Sequence, residues 1–203
     1  KLPEDAHIIL WAMRGSMWQK AMYPIAEEIC NEWLDKHPES WIILTGDTFC
    51  QQWEWDHPRV LKRSGIIPFR QALHMSGYVD MVVTPETGLG IGAGAFGIPK
   101  IMLLTAASLT NIVGNDENDY SLQSDAYCSP CTRAIYNTNN CVLGGEVAEY
   151  EFHGKEYRGV KLPICVEFDK DRVLGRMEEV YENHERYNLA KRSLPPDGRE
   201  VYM

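Results

Sequence analysis

Between residues 81 and 104 the chain reads MVVTPETGLGIGAGAFGIPKIMLL, and no other stretch restricts the fold as much. Met81, Val82, Val83 and Thr84 form a short apolar, β-branched run that reads as a strand buried on both faces. Pro85, Glu86 and Thr87 make a turn, after which Gly88, Gly90, Gly92 and Gly94 alternate with Leu89, Ile91, Ala93 and Ala95. Pro99 leads into a second apolar run, 100–104. Strand, turn, helix and strand at this spacing make the βαβ unit of a parallel sheet. A glycine inside a helix costs about 1 kcal/mol relative to alanine, so the run needs a compensating reason. Two are open: close approach of the backbone to a neighbouring element, and close approach to a ligand. A helix that starts at the carboxyl edge of parallel strands presents free N–H groups, which is where phosphate groups bind.

The flanking sequence extends the same pattern. Residues 7–13 (HIILWAM) read as the first core strand, followed by a loop over 14–20. A helix is expected from about Met22 to Lys36, because Ile25, Ile29 and Trp33 recur on one face with Ala26, Cys30 and Leu34. Residues 41–45 give a second strand ended by Gly46-Asp47, 59–62 a short third one, and Pro68 opens a helix through Ser76. The order β-α-β-β-α-β-α-β is that of a doubly wound, Rossmann-like α/β sheet. Beyond Leu104 the pattern weakens. Residues 105–123 read as a polar loop with at most a short helix, and 127–141 as an irregular, cysteine-bearing segment. Residues 146–162 suggest a hairpin turning at His153-Gly154-Lys155. Residues 169–187 suggest a helix capped by Asp169, with Val173, Met177, Val180, Tyr181 and His184 on one face. The tail 192–203 reads as extended. The expected division is a Rossmann-like domain formed by 1–127 and 166–203, interrupted by a cysteine-bearing insertion at 128–165.

A formal net charge of -9, with no run of Lys or Arg, argues against a nucleic-acid binder but not against a small anionic ligand. No apolar run reaches 18 residues, so no transmembrane helix is expected. Six scattered cysteines without a disulfide framework fit a cytoplasmic protein.

Taken in order, these pieces resemble the C-terminal, donor-binding half of a GT-B glycosyltransferase, and most specifically glycosyltransferase family 9, the lipopolysaccharide heptosyltransferase-like family. The resemblance rests on Lys20 and Tyr23-Pro24 after the first strand, and on Gly46-Asp47 after the second. It rests also on the Glu86-Thr87-Gly88 turn with its helix and Pro99-led strand, and on Cys128-Ser129-Pro130-Cys131, Cys141 and Cys165. It covers roughly residues 8–177. Two positions depart from the family pattern: the acid before Thr-Gly is Glu86 rather than Asp, and Ile91 stands where a histidine is common.

The resemblance implies a nucleotide-diphospho-sugar donor, ADP- or UDP-linked, and a glycan or lipid-linked acceptor. The catalytic base would come from an N-terminal acceptor domain that 203 residues cannot also contain, so no catalytic residue is assigned. The full-length enzyme would lie in the cytoplasm, peripheral to the inner membrane. The N–H groups of Thr87, Gly88 and Leu89 are expected on the pyrophosphate, with Lys20 as the neutralising cation and Arg14 as the alternative cation. Asp47 occupies the place of a ribose-binding acid, with Thr45 and Thr48 beside it; a turn-forming role is equally open. Glu86 suits a sugar hydroxyl, or orientation of its own turn through a backbone N–H. Gly90 and Gly92 are expected to set helix-to-sheet approach. Trp53 and Trp55 suit base stacking or anchorage of their loop in the core. Thr105, Ala106 and Ser108 would wall the site. No metal is required for transfer, but Cys128, Cys131, Cys141 and Cys165 are a candidate structural zinc set, reduced thiols being the alternative. The competing readings are a non-catalytic GT-B-like module with no donor and a sugar-nucleotide epimerase-like protein.

Overall fold

A computed structural model describes residues 2–15, 26–113, 116–131, 150–152, 155–157 and 164–183. Lys20, the start of the first helix, Cys141, His184 and the tail 192–203 lie outside the described residues.

The elements follow the hydrophobic pattern closely. Strand β1 spans His7–Ala12, helix α1 Ala26–Lys36, β2 Ser40–Thr45, β3 Val60–Lys62 and α2 Phe69–Ser76. Then come β4 at Met81–Pro85, α3 at Gly88–Ala95 and β5 at Lys100–Leu104. A one-turn helix α4, Leu109–Ile112, and a two-residue strand β6, Leu122–Gln123, lie in the segment expected to be a polar loop. Thr48–Trp53 forms a 3-10 helix that hydrophobic periodicity does not foretell. Strands β7 (Tyr150–Phe152) and β8 (Lys155–Tyr157) pair antiparallel, Phe152 opposite Lys155, as the expected hairpin requires. Helix α5 covers Lys170–Asn183, its first turn capped by Asp169, whose carboxylate accepts the Arg172 N–H at 2.8 Å.

The main sheet has the order β3-β2-β1-β4-β5-β6, and every pairing in it is parallel. This is the doubly wound α/β arrangement, with its switch of direction between β1 and β4. Alternation along β1 sorts its side chains between two layers. Ile9, Trp11 and Met13 pack with Ile29, Trp33 and Leu34 of α1 and with Val173, Met177 and Val180 of α5. Ile8, Leu10 and Ala12 pack with Ala72 and Met75 of α2 and with Leu89 and Ala93 of α3. Trp53 and Trp55 belong to the first of these clusters, 7% and 3% exposed, and the Trp55 indole donates to Asn31 at 3.1 Å. Anchorage, not base stacking, is their role.

Polar groups fix the ends of the elements. Arg59, just before β3, donates to the carbonyls of Leu34, His37 and Ser40 at 2.6, 2.8 and 3.3 Å. It thereby satisfies the Leu34 carbonyl that the end of α1 leaves open. Asp80, ahead of β4, accepts the Ile8 N–H at 2.7 Å and donates its own N–H to the Ile8 carbonyl at 2.8 Å. These bonds hold β1 and β4 in register at the switch point.

Candidate functional site

The carboxyl ends of β1, β2 and β4 and the loop after β3 enclose an open cleft of about 460 Å³. Its wall includes Ala12, Arg14 and Gly15 after β1, and Thr45, Gly46, Asp47 and Thr48 after β2. Residues 65–69 and Ala72 form the side facing Thr87 and Leu89 at the start of α3. A doubly wound sheet splays its loops apart at the switch point, so a crevice opens there and ligands bind in it. The small void between Trp11, Thr84, Thr105 and Phe168 measures about 10 Å³, the size of a single water.

The start of α3 faces this cleft without a cap. Thr87 has extended N-cap geometry, but its hydroxyl makes no bond to the helix. It lies 2.7 Å from the Thr84 hydroxyl, which in turn donates to the Pro85 carbonyl at 2.9 Å. The first intrahelical bond runs from the Ile91 N–H to the Thr87 carbonyl. No bond among the described residues uses the N–H groups of Gly88, Leu89 or Gly90. Helix α2 also begins at the cleft, with Pro68 as an N-cap that offers no side-chain bond. The N-termini at Thr48, Leu109 and Lys170 are instead capped by Asp47, Ser108 and Asp169.

Asp47 shapes the turn after β2 and faces the cleft. One carboxylate oxygen accepts the Cys50 N–H at 3.2 Å and its thiol at 3.3 Å, forming the turn, while the side chain remains 59% exposed in the cleft. Burial, followed by the hydrogen bond to Asp47, pushes the Cys50 thiol up to about 12. The guanidinium of Arg14 stands 4.0 Å from the other Asp47 oxygen and 5.0 Å from the centre of the Phe49 ring, and its Nε donates to the Gly15 carbonyl at 3.0 Å. Thr48 is exposed on the same wall.

Of the residues expected at the site, Arg14, Asp47, Thr48, Thr87 and Leu89 share this cleft, as does Thr45, and the free Gly88 N–H belongs to the same helix start. Glu86 does not line it. That side chain is buried, and one of its oxygens accepts the N–H groups of Thr105, Ala106 and Ala107 at 2.5, 2.7 and 2.9 Å. Thr105 and Ala106 are therefore occupied in holding Glu86 and do not wall the cleft, nor does Ser108. Gly90 brings α3 onto the sheet: a Cβ there would lie 2.8 Å from both Met102 and Thr84. At Gly92 the close neighbour is Leu73 of α2, so that glycine serves helix–helix contact instead.

The wall at 65–69 was not legible in the sequence. Glu54 accepts the N–H groups of Arg63 and Ser64, Gln51 donates to the Ser64 carbonyl, and the Gly65 N–H bonds the Gly46 carbonyl at 2.9 Å. Gly65 has φ +69°, which admits glycine at little cost. These bonds present Ile66 and Phe69 at the rim, 63% and 61% exposed. The only sequence signal was an apolar Ile-Ile-Pro-Phe run directly after a turn glycine.

Cys128 and Cys131 are half-buried and Cys165 is buried, and no disulfide joins them to one another. Among the described residues no three His, Cys, Asp or Glu side chains are grouped to hold a metal ion. Cys141, the fourth member of the expected zinc set, lies outside the described residues. No described helix is long and apolar enough to cross a membrane.

No family model matches the sequence, and no curated protein does. Solved structures do match the fold. The ADP-heptose lipopolysaccharide heptosyltransferase II of E. coli superposes with a TM-score of 0.61 at 12% identity, over 89% of this chain and 48% of that one. A glycosyltransferase of family 9 from Veillonella parvula gives 0.60 at 9% identity, over 90% and 48%. The dodecameric, iron-containing heptosyltransferase TibC, solved in complex with ADP-D-β-D-heptose, gives 0.58 at 11% identity, over 90% and 47%. This chain therefore has the Rossmann-like α/β fold found in GT-B glycosyltransferases, and it spans about half the length of the heptosyltransferase and family 9 structures it matches.

Proposed function

We propose that the chain is the donor-binding half of a heptosyltransferase-like glycosyltransferase, and that its cleft takes the diphosphate of an ADP- or UDP-linked sugar. The observation that carries this reading is the uncapped start of α3, whose Gly88, Leu89 and Gly90 N–H groups bond to none of the described residues, and whose Thr87 and Leu89 line a cleft with Arg14. Negative charge grows on the diphosphate as the sugar leaves. Fixed N–H dipoles and a cation stabilise that charge more in the transition state than in the ground state. Arg14 and Lys20 are the cations in this scheme, and Asp47 and Thr48 receive the hydroxyls of ribose or sugar. Two of the fold neighbours are heptosyltransferases, one of them solved with an ADP-heptose, which supports a diphosphate-linked donor. The acceptor, a glycan or lipid-linked glycan, and the catalytic base belong to a second half-domain in this scheme, which acts at the cytoplasmic side of the membrane. A structural zinc at Cys128, Cys131, Cys141 and Cys165 remains part of the proposal and is tested by metal analysis of the purified protein.

Calorimetric titration with ADP, UDP and their sugars tests the donor site. Binding in the micromolar range, weakened about tenfold or more by Thr87→Val or Lys20→Ala, is the expected result. A chain that binds none of these ligands is a non-catalytic module of this fold, and one that binds them equally well after both substitutions counts against the donor site assigned to Lys20 and the start of α3.

A further inference from the structure

Glu86 sits between the turn that opens α3 and the loop after β5, and its geometry assigns it a task different from ligand contact. Its side chain is 5% exposed and absent from the cleft wall. Three successive N–H groups, those of Thr105, Ala106 and Ala107, converge on a single carboxylate oxygen, joined by the Thr105 hydroxyl at 3.3 Å. Consecutive N–H groups turned toward one point form an anion nest, and here the protein's own carboxylate fills it. The carbonyl side of the same loop is fastened independently. The Ser129 hydroxyl donates to the Thr105 carbonyl at 2.7 Å, and the Gln123 amide donates to the carbonyls of Leu104 and Ala107 at 3.2 Å. Glu86 is adjacent in sequence to Thr87, whose hydroxyl is turned back onto β4. The turn that opens α3 is thus tied to β4 through the two threonines and to the loop after β5 through Glu86.

We infer that Glu86 is a positioning residue: by locking the 105–107 loop to the β4–α3 turn, it fixes where the free N–H groups of α3 meet a diphosphate. The inference rests on the donor-site reading of the cleft. A Glu is needed because the acceptor oxygen must cross from β4 to the loop beyond β5; Asp is one methylene shorter, and Gln offers a neutral oxygen.

The test compares Glu86→Asp, Glu86→Gln and Glu86→Ala with the unaltered chain by amide hydrogen exchange at Thr105, Ala106 and Ala107 and by titration with ADP and UDP. Exchange at the three amides should rise about tenfold or more in the Asp and Ala variants, with nucleotide affinity falling about fivefold to tenfold in parallel. Acetate, filling the vacated nest, should restore both in Glu86→Ala. Should that variant fail to fold, Glu86→Gln carries the same comparison with a smaller change. Lost affinity with unchanged exchange would make Glu86 a ligand contact, and raised exchange with unchanged affinity would make it a loop clamp with no bearing on the site; either overturns the inference. If the unaltered chain binds neither nucleotide, the donor reading fails and the functional half of the inference with it. The exchange data then still decide whether Glu86 clamps the loop.

Discussion

The ammonium of Lys100, fully buried at the start of β5, pairs with the carboxylate of Asp116, and both charged atoms lie against Gly94 of α3. A cation held wholly inside the protein depends on its partner, because water cannot replace it. Asp116→Ala should therefore cost about 3 kcal/mol in urea denaturation. Lys100→Met, which removes the buried charge and leaves an Asp116 carboxylate that water already reaches, should cost less than about 1 kcal/mol. Equal losses in the two variants would show that the pair is a surface-type contact.

Gly90→Ala reverses the usual rule for helices. In an exposed helix the change is favourable by about 1 kcal/mol. Here the added carbon would lie 2.8 Å from Thr84 and from Met102, both buried on the sheet. A loss of about 1–3 kcal/mol is expected from overpacking, read as a lower midpoint of unfolding. A stabilised variant would mean that α3 can move off the sheet freely.

Arg14 lies beside Asp47 and the ring of Phe49 at the cleft wall. Arg14→Gln should weaken ADP binding about tenfold, or about 1.4 kcal/mol, and reduce its dependence on salt. Unchanged affinity and salt dependence would remove Arg14 from the phosphate site and leave its Asp47 and Phe49 contacts as its role.

Thiol reactivity should separate the cysteines by environment. Burial, and to a lesser degree Glu27, holds the Cys30 thiol well above its usual range, and Cys50 is pushed up to about 12. The thiolate is the reactive form, so both should resist iodoacetamide at pH 8 in the folded protein, while half-buried Cys128 reacts sooner once any zinc has been removed with a chelator. Mass spectrometry of timed digests reads the order, and early labelling of Cys50 would contradict the buried turn drawn around Asp47.

Acid should loosen α5 from α1. Partial burial pushes the Glu178 carboxyl up, but hydrogen bonds from Lys36 and His37 outweigh it and hold the carboxyl below its ordinary value of 4.5. The folded-state value is the lower one, so the stabilisation is complete above about pH 4.5 and is lost as pH falls through the depressed value. Glu178→Gln should be less stable than the unaltered chain at pH 7 by under about 1 kcal/mol, the difference closing toward pH 3. A difference independent of pH would assign the loss to packing.

Much of the architecture was legible because it follows from periodicity. The apolar runs at 7–13, 41–45 and 81–104, separated by one helical pattern after another, leave a parallel α/β sheet as the arrangement that buries them all. The glycine run and the turn before it located α3, and with it Thr87, Leu89, Arg14 and Asp47 on one edge of the sheet. Strand β6 and the Thr48–Trp53 helix left no such trace. Two residues show no period, and that 3-10 helix is set by the Asp47 cap and by burial of Cys50 and Trp53.

The sequence by itself determined the elements, their order and the sheet edge that carries the cleft loops, since each depends on local spacing of apolar and turn-forming residues. Only the tertiary structure decided which way individual polar groups face. It turned Glu86 inward onto the 105–107 loop, left the first N–H groups of α3 without a bond among the described residues, and brought 65–69 across from β3 as the opposing wall. Those choices depend on contacts between residues some twenty or more positions apart, and a buried polar group takes whichever partner the packing brings within hydrogen-bond reach.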